Sequence, residues 1–85
     1  MTIEDWRARI DAIDRKLVEL LSERARSAIA VGRIKSEQNM TVRDPNRERQ
    51  IVLNVLGENK GPLDEEALRR IFECIIDECR RIEHQ

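Results

Sequence analysis

The chain has no tyrosine, one phenylalanine and one tryptophan among 85 residues. So few large rings argue against a β-sandwich core, whereas the abundance of Leu, Ile, Glu and Arg favours helices. The only histidine is His84, one residue from the end; a metal site needs more ligands at suitable spacing, so no metal is expected. Cys74 and Cys79 are the only cysteines. Five residues apart on a helix, they point to different sides, which excludes a disulfide between them and leaves two reduced thiols. Neither sign of charge dominates: sixteen Lys and Arg face seventeen Asp and Glu, a net charge of -1. There is then no global basic field for nucleic acid or a membrane surface. No apolar run approaches the ~18 residues of a membrane span, and Met1-Thr2-Ile3-Glu4-Asp5-Trp6 carries acids where a signal peptide needs basic residues. A cytoplasmic protein is expected. Without internal repeats, low-complexity tracts or a domain boundary, residues 1–85 read as one all-α unit.

Punctuation divides that unit into three helices. The first is expected from about Ile3 to about Gln38, with only Gly32 inside it, followed by a short polar connector from Asn39 to Val42. The second starts at Asp44 as N-cap with Pro45 at the first helical position, and runs to about Leu56 before Gly57, Asn59, Gly61 and Pro62. The third, about 64–83, has Asp64 as N-cap, with Leu63 and Leu68 spaced as a hydrophobic staple, and carries the stripe Leu68, Phe72, Ile75, Cys79, Ile82.

The first helix carries an anomaly. Its apolar seam of Ile3, Trp6, Ile10, Ile13, Leu17 and Leu20 should continue at positions 24 and 27, but Arg24 and Ser27 stand there before Val31 and Ile34 resume it. An unpaired guanidinium on a buried stripe costs several kcal/mol, so a protein carboxylate or a ligand must meet it. Lys35 lies eleven residues further, and at ~100° per residue the two cations fall within about 20° of each other. They reach toward one pocket. Arg7 lies seventeen residues before Arg24, roughly 25 Å away along the axis; it cannot join that pocket from its own chain, but it can enter a partner's site in an antiparallel pair. A solvated surface arginine is the plainer reading of Arg7.

Helix length argues for that pair. About thirty-four residues at ~1.5 Å each span roughly 50 Å, against a diameter near 30 Å for a compact domain of this size. One chain cannot cover such a helix, and an intertwined homodimer of three-helix protomers is expected. At the start of the second helix, Asp44, Arg47, Glu48 and Ile51 share one side, ordinarily a solvated turn with weak ion pairs. Near the end, Glu83 continues the apolar row of Ile76 and Cys79, or else belongs to a fraying terminus.

Taken together the pattern is specific. Arg7-x-x-Ile10-Asp11-x-Ile13-Asp14, Leu20-Leu21-x-x-Arg24, Val31-Gly32-x-x-Lys35, Val42-Arg43-Asp44-x-x-Arg47-Glu48 and Ile71-Phe72-x-x-Ile75-Ile76 follow in order, and over essentially its whole length the chain resembles the all-helical chorismate mutases of the AroQ class. The resemblance implies a homodimer with two sites, chorismate as substrate, and its Claisen rearrangement to prephenate on the route to Phe and Tyr. No cofactor is implied. By position, Arg24 and the partner chain's Arg7 look like carboxylate clamps, and Lys35 like a donor shared between the ether oxygen and a carboxylate. Arg47 would support the carboxylate end, with Asp44 and Glu48 around the ring hydroxyl. Cys79 and Glu83 depart from a familiar version of the pattern, standing where a serine and an ether-directed glutamine often lie. Isochorismate-pyruvate lyases of the same fold and a non-catalytic helical dimerisation module are the alternative readings.

Overall fold

A computed structural model describes residues 1–83 of the chain; His84 lies outside the described residues. Helices α1 (Ile3–Glu37), α2 (Pro45–Glu58) and α3 (Glu65–Glu83) are its only regular elements among those residues. Each start is a side-chain cap on backbone donors that a helix end leaves unpaired. Thr2 and Asp5 form a reciprocal capping box at α1; hydrogen bonds from the Thr2 backbone and then its side chain hold the Asp5 carboxyl below its ordinary value. Asp44 accepts from the Arg47 N–H at 3.1 Å to open α2, and Asp64 accepts from the Ala67 N–H at 2.7 Å to open α3.

The stops are equally local. Asn39 takes a left-handed conformation at φ 56, and the N–H groups of Met40 and Asn39 reach back to the carbonyls of Lys35 and Ser36 at 2.8 and 3.2 Å. This pair of bonds is the Schellman stop, with Asn in place of Gly. Helix α2 runs on through Gly57 to Glu58, two residues beyond Leu56. A glycine inside a helix costs only about 1 kcal/mol relative to Ala. Asn59 ends the helix instead, its side chain donating to the Leu63 carbonyl and accepting from the Gly61 N–H.

Helix α3 packs on both other helices. Its buried Ile76 and Cys79, with Val52 of α2 and Gly32 of α1, are the centre of a small core. At Gly32 the backbones nearly touch: a Cβ there would lie 2.8 Å from the Glu83 carbonyl oxygen. Only glycine permits that approach, and it brings the last turn of α3 beside Lys35.

Much apolar surface stays uncovered. Along α1, Ile3, Trp6, Ile10, Ile13, Leu17 and Leu20 are 50–69 % exposed. The chain measures 55 × 23 × 15 Å with a radius of gyration of 15.8 Å, against about 12 Å for a compact chain of this length. Its accessible surface of 7084 Å² exceeds by about 1,800 Å² the ~5,200 Å² of a compact monomer of 10.0 kDa. No helix is long and apolar enough to cross a membrane among the described residues.

Candidate active site

Where α3 bridges α1 and α2, the three helices enclose a cleft of about 290 Å³. Periodicity delivers the side chains: Arg24 and Lys35 share one face of α1, while Asp44, Arg47 and Glu48 share the capped first turn of α2. Cys79 and Glu83 come from one face of α3. All seven line this cleft. Arg7 does not; it lies exposed near the start of α1 and pairs with Glu4 at 3.7 Å.

Lys35 is held on two sides. Its Nζ donates to the Val42 carbonyl at 2.8 Å and faces Glu83 Oε2 at 3.9 Å, with side chains only 16 % and 14 % exposed. The connector that stops α1 through the Lys35 carbonyl thus also anchors the ammonium. Glu83 belongs to the last turn of α3.

One residue that sequence reasoning missed also lines the cleft. Arg80 donates from Nη1 to both carboxylate oxygens of Glu48, at 2.9 and 2.7 Å, and from Nη2 to Asp77 at 2.6 Å. The hydrogen bond to Glu48 raises the Arg80 guanidinium above its ordinary value; the charges of Glu48 and Asp77 add to this, and burial opposes it. The spacing of Ile76, Arg80 and Glu83, at steps of four and three, was the signal that could have found it.

Charge bookkeeping distinguishes this cleft from its neighbour. A larger groove of about 430 Å³ on the outer side of Glu48 and Ile76 sets Arg43, Arg49 and Arg69 against Glu48, Glu73 and Asp77, a balance of zero. The first cleft sets Arg24, Lys35, Arg47 and Arg80 against Asp44, Glu48 and Glu83, a net charge of +1. Its carboxylates are already engaged: Asp44 caps α2, Glu48 holds Arg80, and Glu83 faces Lys35. Among the described residues the Arg47 guanidinium donates only to the Gln50 side-chain oxygen, at 3.3 Å. Half-buried Arg24 has neither a hydrogen bond nor an ion pair among the described residues. Two guanidiniums free of carboxylate partners, beside a fixed ammonium, suit a small molecule carrying carboxylates.

A helical scaffold that gathers cations in a small cleft is thus the class defined by fold and cleft. Residues 6–84 match the family described as chorismate mutase type II, and the chain belongs to that family. The bifunctional chorismate mutase/prephenate dehydratase of Pseudomonas aeruginosa is 40 % identical over 82 residues, covering 91 % of this chain and 22 % of that protein. Its counterpart in Aquifex aeolicus is 39 % identical over 85 residues, covering 95 % and 24 %. The chain spans about a quarter or less of the length of these curated relatives. Among solved structures, form II of chorismate mutase from Thermus thermophilus superposes with a TM-score of 0.96 at 31 % identity, covering 98 % of this chain and 94 % of that one. Chorismate mutase from Helicobacter pylori in complex with prephenate gives 0.88 at 28 % identity, covering 96 % and 89 %.

Proposed function

We propose that this chain is an isomerase that converts chorismate to prephenate, as a homodimer, in cytoplasmic biosynthesis of phenylalanine and tyrosine. The observation that carries this reading is Arg24, half-buried in a net-positive cleft beside Lys35 with no carboxylate partner among the described residues. Chorismate is a dianion with an ether bridge. Its rearrangement needs the enolpyruvyl arm folded over the ring while the breaking C–O bond loads negative charge onto the ether oxygen. Neither a nucleophile nor a base is needed, so placement and electrostatics suffice.

In this reading Arg24, supported by Arg47, clamps one carboxylate by the guanidinium fork, and Arg7 from the partner chain clamps the other. Lys35, pinned by Val42 and Glu83, points its charge at the ether oxygen with little reorganisation left to make. Asp44 and Glu48 face the ring hydroxyl. Glu83 stands beside the ether oxygen and holds the Lys35 ammonium in place. Cys79 contributes packing at the floor of the cleft.

Product identity tests the reaction. Chorismate and isochorismate are supplied separately; the mutase reading expects prephenate, an isomer of its substrate, from chorismate. Release of pyruvate from isochorismate as the dominant reaction would assign the chain to the lyases instead, and inertness toward both would leave a dimerisation module.

Assembly has its own expected result. Sedimentation should give a species near twice 10.0 kDa, with an unfolding midpoint that rises with protein concentration, because folding and association are linked. A stable monomer at micromolar concentration contradicts it.

Gly32→Ala tests the placement of Glu83. The new methyl meets the Glu83 carbonyl at 2.8 Å and its Cβ at 3.3 Å, so the end of α3 must retreat from Lys35. We expect kcat to fall about 10-fold or more, since misplacement by ~1 Å can cost about 100-fold. KM should change little, because the carboxylate clamps lie on other turns. Unchanged kcat in a folded variant would show that the close approach does not serve the chemistry.

A further inference from the structure

We propose that Arg80 is a positioning residue that acts on the substrate only through Glu48, and that it sets the cleft's affinity for a dianion. The inference rests on the chorismate reading above. The guanidinium is committed to protein: Nη1 spans both oxygens of Glu48 at 2.9 and 2.7 Å, and Nη2 holds Asp77 one turn back at 2.6 Å. Both of its Nη nitrogens are thus engaged by protein carboxylates, unlike those of Arg24 and Arg47 in the same cleft.

Glu48 needs this partner. Its carboxylate stands in the wall between the cleft and the outer groove, where both Glu48 and Arg80 side chains are less than a quarter exposed, at 22 % and 24 %. The other cation within reach among the described residues is Arg43, at 3.9 Å on a largely exposed side chain, a weak tether by comparison. Removing Arg80 would leave a mostly buried carboxylate short of a partner, a costly state that is relieved by turning toward the open cleft. The cleft's balance would fall from +1 to zero, and a mobile negative charge would meet an incoming dianion. Arg80 thus keeps the Glu48 carboxylate fixed at the hydroxyl end and neutralised toward the rest of the substrate.

A double-mutant cycle reads this coupling, because residues in one network show interaction terms that independent residues lack. Chorismate kcat and KM are measured for the wild type, Arg80→Leu, Glu48→Gln and the double variant, with helicity and dimer mass checked for each. Arg80→Leu should raise KM about 10-fold to 100-fold with a smaller change in kcat, since the loss is one of substrate binding. In the Glu48→Gln background, where no carboxylate is left stranded, the same substitution should cost less than about 3-fold. Equal losses in both backgrounds would overturn the proposal and show that Arg80 touches the substrate itself. Arg80→Lys keeps the charge but cannot span both acids, and should recover most of the lost affinity; it also carries the test where Arg80→Leu fails to fold. A fall in thermal stability with KM unchanged in Arg80→Lys and Arg80→Leu would mean a purely structural bridge. A wild-type chain that neither turns over nor binds chorismate removes the functional reading and this inference together, whereas an active wild type with additive losses removes the Arg80 inference alone.

Discussion

Arg24→Ala is expected to lose at least about 3 kcal/mol of transition-state stabilisation, more than about 100-fold in kcat/KM, the scale of one preorganised electrostatic donor. Folding stability should change little or rise. A side chain that interrupts the apolar seam of α1 without a carboxylate partner among the described residues contributes little to the folded state, and an unpaired, half-buried charge opposes it. Activity and stability thus move independently, which a structural cation would not allow. Kinetics with chorismate, paired with urea unfolding of the same preparation, makes the comparison. A strongly destabilised Arg24→Ala with unchanged activity per folded molecule would contradict the ligand-binding role.

The second large effect is at Glu83. Its side chain lies 3.9 Å from Lys35 at the cleft wall, where a carboxylate can accept from the ammonium but offers no donor to an ether oxygen gaining negative charge. Glu83→Gln keeps an acceptor for Lys35 and adds an amide N–H donor, so kcat with chorismate should rise about 10-fold or more. Rates for both proteins under one set of conditions, with folding verified, decide the matter. An unchanged kcat would place the ether-oxygen role on Lys35 alone.

What the sequence disclosed was what repeats locally. Arg24 and Lys35 share a face because helical geometry alone carries one to the other over eleven residues, and the starts of α2 and α3 follow from Asp-led caps acting on the next turn. Contacts between distant parts were another matter. Arg80 bonds Glu48 across 32 positions, and on its own helix it looks like any basic residue of a last turn. The role of Gly32 was equally hidden: a glycine in a long helix reads as a tolerated weak point, and only the packed backbone of α3 shows what the missing methyl permits. Helix α2 overran its expected end because Gly57 faces open space and the true stop is the Asn59 side chain acting on the following loop. Arg7 is legible only as an arginine too far from its own cleft; the place proposed for it depends on a second chain.

That second chain is where the reading is most exposed to test. Arg7→Ala and Arg24→Ala chains are each expected to retain less than about 1 % of wild-type activity, the loss of one carboxylate clamp. Mixed in equal amounts and allowed to exchange subunits, half of the dimers pair one of each, and in those dimers one site carries both defects while the other carries neither. Activity should rise to about one quarter of the wild-type value per site. A mixture that stays at the level of the separate variants, with exchange proven by mass, would show that Arg7 does not act across the interface and that the cleft is not completed by a partner.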